Sequence, residues 1–510
     1  MQVKKLALCC ALAFASLSGS AMAAMTAPEV ALVESALKGE DNNLATPGDE
    51  RVIFISGASA TQKGFTGIIG TLFTGTPIRF AANTTATSRD YEAAAGTLAA
   101  GTGPWAGKSA IVIYRVKGGS VNGVNPVARG EMIDALNVNG SCGSTVGSNG
   151  TNAAPYNCGI NQRTPDAGVS DVAPALFQSP YNTESDVSDE PTAVAALDST
   201  EIARFAAPGS ITPIYGLAFG VPLTKNLPLF NLNKATVAAI MKGGVNTWNL
   251  VDASLPADDI IICRRVPGSG TQAVDNLHFG NYPCNDTLAN TPADRYASSA
   301  WDDASRTYTV TGGTGVVTVI ENSTSGDVVS CLEKASSGGT YITKDRAGVD
   351  GVVVDFGAGG HKAIGVLSMD GLAKSKTTGL WQFRSLDGKG VMTWDNTANA
   401  PLTSDLTFAA NTGTGKFPTK ASYTDGTWDL QGWISFNIPK RTPTDFPAKA
   451  SVLAKFLANA KSPAILASIS DLKNVAAAMP GTADPTATGN VLRAGYLNNN
   501  QCGPLNRGAL

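Results

Sequence analysis

The chain repeats one pattern: a short apolar run rich in β-branched residues, then a turn of Gly, Ser and Thr, then a stretch with helical spacing. The central instance is Asp259-Ile260-Ile261-Ile262-Cys263, followed by Arg264-Arg265-Val266-Pro267-Gly268-Ser269-Gly270 and then by Thr271-Gln272-Ala273-Val274-Asp275-Asn276-Leu277. An unbroken apolar run of this length reads as a buried strand, and the polar starters after the turn read as a helix N-terminus. Residues 51–56, the turn Gly57-Ala58-Ser59-Ala60-Thr61-Gln62 and a helical stretch over 64–73 repeat the pattern. So do residues 109–116, which lead into Lys117-Gly118-Gly119-Ser120 and a helix starting near Pro126, a good first-turn residue. Ala167-Gly168-Val169-Ser170-Asp171-Val172-Ala173-Pro174 is a further junction, with a carboxylate at its turn. Strands alternating with helices predict parallel βαβ units, whose ligands sit at the carboxyl ends of the strands.

The turns carry a definite chemistry. A strand, tight turn and helix start aim backbone N–H groups and the positive end of a helix dipole at one spot. Gly268 and Gly270 lack the Cβ atoms that block close approach, and Ser269 and Thr271 add hydroxyls. With an arginine at the strand end, the set suits a tetrahedral oxyanion. One such loop alone is equally a glycine turn capped by Ser or Thr; convergence of several at one sheet edge is what builds a site.

Composition narrows the class. A chain of 510 residues is long enough for two or more domains with sizeable cores. Charged residues make up 15% and the net charge is −3, which leaves no electrostatic footprint for nucleic acid. Lys4 and Lys5, the apolar stretch over 6–17 and Ala21-Met22-Ala23 form a secretion signal over residues 1–23. After it no apolar run is long enough to span a membrane. Cys9 and Cys10 leave with the signal and no lipid anchor is expected, which leaves Cys142, Cys158, Cys263, Cys284, Cys331 and Cys502 as disulfide candidates in an exported chain. Cys142 and Cys158 flank a Gly/Ser/Asn loop and are expected to pair. Cys263 and Cys284 bracket the central helix, which leaves Cys331 with Cys502. There is no C-x-x-C, and His278 and His361 are the two histidines, so neither a metal site nor a cofactor is expected. Residues 77–108 and 374–430, rich in Gly, Thr and small polar residues, read as surface insertions.

The junctions resemble those of the phosphate-binding proteins of ABC transporters, in the type 2 periplasmic-binding superfamily. Residues 57–62 resemble that family's Gly-Ala-Gly-Ala-Thr-Phe turn, with Ser59 and Gln62 differing. Residues 114–120 resemble its Ser-bearing turn, and residues 169–174 its Ala-Ser-Asp-Ala-Pro. Residues 232–249 resemble the helix and Trp turn before its central strand. Residues 264–271 match Arg-Arg-Ala-Asp-Gly-Ser-Gly-Thr at six of eight positions. The resemblance implies a two-lobed α/β fold with mixed, mainly parallel sheets and Gly/Ser/Thr-rich surface insertions. It places lobe I at 24–212 plus 373–510 and lobe II at 213–372. It implies Thr61, Ser120, Asp171, Arg265, Ser269, Gly270 and Thr271 as ligand-binding residues, inorganic phosphate or a related oxyanion as ligand, and an ABC permease as partner.

Arg265 then supplies a charge-assisted fork, while Arg264, one residue along the strand, points the other way and reads as a solvated neighbour. Asp171 either orients Arg265, accepts a proton from the anion, or is a plain N-cap. Pro267 stands where the family has an Asp that accepts a phosphate proton, so anion discrimination rests on Asp171. Three function classes follow. The first is a periplasmic or secreted solute-binding protein, not an enzyme. The second is an extracellular structural or attachment protein on the same fold. The third is a hydrolase using Ser59 or Ser269; it is disfavoured because His278 and His361 stand in no recognisable triad setting.

Overall fold

The computed structural model describes the chain from residue 24 to residue 507, apart from 45–47, 83–89, 146–154, 184–193, 206–210, 230, 286–291, 294–299, 303, 345–349, 371–379, 391, 396–399, 402–412, 484–488 and 498–499. The signal segment expected over 1–23 lies outside the described residues.

Two sheets with parallel centres organise the chain. In the first, Val52–Gly57 pairs in parallel with Ser109–Arg115 on one side and Ala167–Ser170 on the other. All six residues of Val52–Gly57 are buried, as expected for a strand covered on both faces. Its alternate side chains serve two cores. Ile53 and Ile55 join the main core, where Phe65 of the helix Gln62–Gly70 stacks on Tyr114 at 5.3 Å and packs on Phe456 at 5.2 Å. Val52 and Phe54 face the other way, toward Val33 and Ala36 of the helix Ala27–Leu37. Antiparallel strands flank this centre. Tyr91–Thr97 and Ile78–Ala82 extend one side, and Gln431–Asn437, the first half of Ile211–Thr224, and Ala476–Ala478 extend the other.

In the second sheet, Ile261–Arg265 lies between Thr318–Asn322 and Ala363–Gly365, parallel to both. The strand Ile211–Thr224 joins the sheets. Its residues 211–218 pair with Gln431–Asn437, and its residues 221–224 pair with Trp381–Leu386. Leu367–Ser368 runs antiparallel beside Phe219 and Gly220, so the chain passes the junction twice. The pairing therefore gives two α/β lobes joined by extended strands. Among the described residues no helix is long and apolar enough to cross a membrane.

Three expectations need correction. Residues 77–108 are not a surface insertion: Ile78–Ala82 and Tyr91–Thr97 are sheet strands, and Phe80, Ala93, Ala94 and Ala95 are buried. Small residues pack there because the segment after the helix Gln62–Gly70 comes close, as where Gly96 lies against the Phe73 ring. Residues 374–430 are likewise no mere surface segment. Trp381–Leu386 belongs to the second sheet, with Trp381 and Phe383 buried, and Trp428 donates to the Phe219 carbonyl at 2.9 Å. The end of lobe II expected at 372 is thus not a change of sheet, since strands at 381–386 and 413–417 still pair within the second one.

The third correction concerns disulfides. Cys142 is bonded to Cys158, Cys263 to Cys331 and Cys284 to Cys502. The expected exchange, Cys263 with Cys284 and Cys331 with Cys502, fails on reach. Gly270–Asp275 continues as a π turn over Asn276–Gly280, and helical backbone advances about 1.5 Å per residue, so Cys284 is carried well beyond the ~7 Å Cα limit of a disulfide. Cys263 instead faces the helix Ser325–Ser337, whose inner face carries Val328, Cys331, Leu332 and Ala335.

Candidate oxyanion site between the lobes

The site lies where the carboxyl ends of both parallel centres meet. Its frame is the turn after Ile261–Arg265. Ser269 N–H donates to the Val266 carbonyl at 3.3 Å, and Gly268 has φ +82°. Val266-Pro267-Gly268-Ser269 is therefore a type II turn, which wants Pro second and glycine third. Pro267 thus has a conformational role of its own. Pro267→Ala is expected to lower stability by roughly 0.4–1 kcal/mol through a freer unfolded chain, read as a reduced urea midpoint at unchanged slope.

Ser269 is the N-cap of Gly270–Asp275, yet its hydroxyl makes no capping bond. Ser269 Oγ and Thr271 Oγ1 are buried with no hydrogen-bond partner among the described residues, and so is Asp171 Oδ1. Against this turn lie the lobe I loops. Val121 N–H donates to the Gly268 carbonyl at 2.8 Å, and Gly268 N–H donates to the Asn182 carbonyl at 3.1 Å. A methyl group on Gly270 would stand 2.1 Å from Ser120 Oγ and 2.5 Å from Asp171 Oδ2, so only glycine admits both groups. Ser120 Oγ also accepts from the Asp171 N–H at 3.1 Å.

Arg265, 1% exposed, spans the cleft. Its guanidinium donates to the carbonyls of Asn322 at 3.1 Å and Ser323 at 2.6 Å, and to Ser325 Oγ at 3.2 Å, all in its own lobe. It also donates to Ser59 Oγ of lobe I at 2.9 Å. Burial brings it down to about 10, against the opposing charges of Asp327, Asp171 and Asp90. Asp171 is pushed up to about 7 by burial; Arg265 lowers it, Asp370 adds to the rise, and the Ser120 hydroxyl lowers it. The site therefore combines a cation, unpaired hydroxyls and a carboxyl group poised to gain or lose a proton near neutrality.

Among solved structures this chain is similar to several phosphate-binding proteins. One from Clostridium perfringens, described as a phosphate ABC transporter substrate-binding protein with bound phosphate, is 10% identical over 83% of this chain and 99% of its own, with a TM-score of 0.38. A phosphate-binding protein from Stenotrophomonas maltophilia is 11% identical over 81% and 84%, with a TM-score of 0.36. The Borrelia burgdorferi PstS is 11% identical over 80% and 97%, with a TM-score of 0.29. No family model matches the chain, and no curated protein matches its sequence.

Of the expected ligand residues, Ser120, Asp171, Arg265, Ser269, Gly270 and Thr271 gather at this junction. Thr61 begins the neighbouring helix Gln62–Gly70, but its hydroxyl is turned inward, 3.2 Å from the Tyr114 hydroxyl and 3.3 Å from the Ala58 carbonyl. Asp171 does not cap a helix, because the N-cap of the next turn, Pro174–Gln178, is Ala173. Arg264 does point away from Arg265, but it is not solvated: it is 6% exposed and pairs with Glu321 at 2.9 Å.

Sequence reasoning missed Asn322, Ser323 and Ser325, which hold Arg265. The signal was there. The apolar run Val316-Val317-Thr318-Val319-Ile320 is followed by Glu321-Asn322-Ser323-Thr324-Ser325, and Thr324 with Asp327 forms a capping box for the helix Ser325–Ser337. Asp370, buried and accepting from Ser368 Oγ at 2.9 Å, has no sequence signal.

Proposed function

We propose that this chain is an exported solute-binding protein that captures phosphate or a related tetrahedral oxyanion between its lobes. The observation that carries this reading is the set of buried polar atoms without partners, Ser269 Oγ, Thr271 Oγ1 and Asp171 Oδ1, collected beside Arg265 and the glycine turn. Buried polar groups are normally satisfied, and these belong to turns of the two lobes that meet at Gly270. Delivery of the anion to an ABC permease is the use that the motif resemblance implies. The reading is of a binding protein and not a hydrolase. His361 lies at the amino end of Ala363–Gly365, the end opposite Arg265, and His278 is half-buried against Phe279 with its Nε2 3.8 Å from Asp429.

The test is competition between phosphate and sulfate as pH changes. Below about 7, Asp171 is protonated and donates to either anion. Above about 7 it is a carboxylate. It then accepts the proton that phosphate keeps, and it repels sulfate, which has none to give. The phosphate-to-sulfate affinity ratio is therefore expected to rise by tenfold to a hundredfold between pH 5.5 and 8.5, about 1–3 kcal/mol. Asp171→Asn should flatten the profile. A flat profile in the unaltered protein removes Asp171 from the proton-accepting role. Failure to bind any oxyanion by calorimetry overturns the reading as a whole and leaves the attachment protein.

A further inference from the structure

We propose that the Cys284–Cys502 disulfide is a covalent strap across the cleft, which limits how far the lobes separate and which thiols can release. Cys284 belongs to lobe II. It follows the helix and π turn that begin at the oxyanion site, and Ala293 N–H, nine residues on, donates to the Met241 carbonyl of the lobe II helix Lys234–Met241 at 3.0 Å. Cys502 belongs to a C-terminal segment laid on lobe I. Leu492 N–H donates to the Ala478 carbonyl at 2.9 Å, and the Tyr496 ring meets Trp433 edge-on at 4.9 Å. The bond joins residues 218 apart in the chain and holds their Cα atoms 5.4 Å apart. Disulfide geometry allows little more than ~7 Å, so a hinge motion that separates these points further is blocked while the bond is intact.

The strap sits on the site loops themselves. Gln501, next to Cys502, accepts from the Ala173 N–H at 3.0 Å, two residues past Asp171. On the Cys284 side, Tyr282 packs edge-on against Tyr181 at 5.6 Å, and Asn276 donates to Asn182 Oδ1 at 2.9 Å. The bond is also the accessible one. Cys263 and Cys331 are 0% exposed and Cys142 and Cys158 are buried, whereas Cys502 is exposed. A dithiol reagent therefore reaches Cys502 first. Its thiolate attacks Cys502 Sγ and the S–S bond breaks, so that Cys284 leaves as a thiolate and takes up a proton. The reagent's second thiol then displaces Cys502 and leaves as its own disulfide, so two electrons and two protons pass to the protein.

This inference does not depend on the identity of the ligand. The Val121 and Gly268 amides donate to carbonyls of partner segments across the lobe junction, so their hydrogen exchange reports opening directly. Exchange is measured on the intact protein, on protein treated with a dithiol until only this bond is cut by mass, and on the Cys284→Ser/Cys502→Ser double variant. The expected result is at least tenfold faster exchange at residues 119–123 and 266–271 once the bond is cut, with phosphate dissociation accelerated in step. The dithiol arm needs no refolding, so a misfolded double variant does not void the test. Unchanged exchange at these residues after cleavage overturns the strap, whether or not phosphate binds.

Discussion

Replacing Arg265 by alanine is expected to weaken phosphate binding by about 2–5 kcal/mol, roughly thirtyfold to a few thousandfold. The size follows from burial. At 1% exposure the guanidinium is almost fully shielded from water, so its charge acts on a neighbouring anion with little screening. Most of its N–H groups are already committed to Ser59, Asn322, Ser323 and Ser325, which fix it in one geometry before any anion arrives. Little ordering is then required on binding. Arg265→Lys is expected to recover only part of the loss, because an ammonium keeps the charge but cannot span the same acceptors. Ser59→Ala should cost less than either, since it removes one bond of several. Calorimetry on the three variants decides the matter: an Arg265→Ala protein that binds phosphate as tightly as the unaltered one rules Arg265 out as the anion's cation.

Much of this site could be read from the chain, and the reasons are local. The turn at Pro267-Gly268-Ser269-Gly270 was legible because a positive φ and a helix start demand those residue types wherever they occur. The junction at Ser120 was legible for the same reason, with Gly118 and Gly119 both at positive φ. What failed depends on packing between distant segments. The run Ile78–Ala82 looked like insertion because small residues lower its apolar signal, and only its pairing with Tyr91–Thr97 makes it core. The partners of Cys263 and Cys284 could not be chosen from spacing, because one helix carries Cys284 away from its strand and another brings Cys331 onto it. The direction of the Thr61 hydroxyl depends on Tyr114, which lies on a distant strand.

Arg264 shows how far one residue of strand alternation separates two roles. Arg264→Ala is expected to lower folding stability by roughly 3–5 kcal/mol, because it breaks a buried ion pair with Glu321. The side chains are 6% and 1% exposed, so water does not take over the lost interaction. Arg264 also donates to the Ala293 carbonyl at 2.6 Å, which loses that partner as well. The loss should grow with pH. Asp275 is pushed up to about 7 by burial, and Arg264 is among the groups that hold it down. Without Arg264 the folded-state value rises further above the unfolded one. A group raised in this way favours folding only while protonated, so the extra instability appears as pH climbs through about 7. Urea unfolding at pH 5.5 and 8.5 checks both points. The variant should lie well below the unaltered protein at each pH, and further below at the higher one. Anion affinity, measured where the variant is still folded, should change little, since Arg264 does not reach the cleft. A variant that keeps full stability but loses the anion would instead place Arg264, and not Arg265, at the centre of the site.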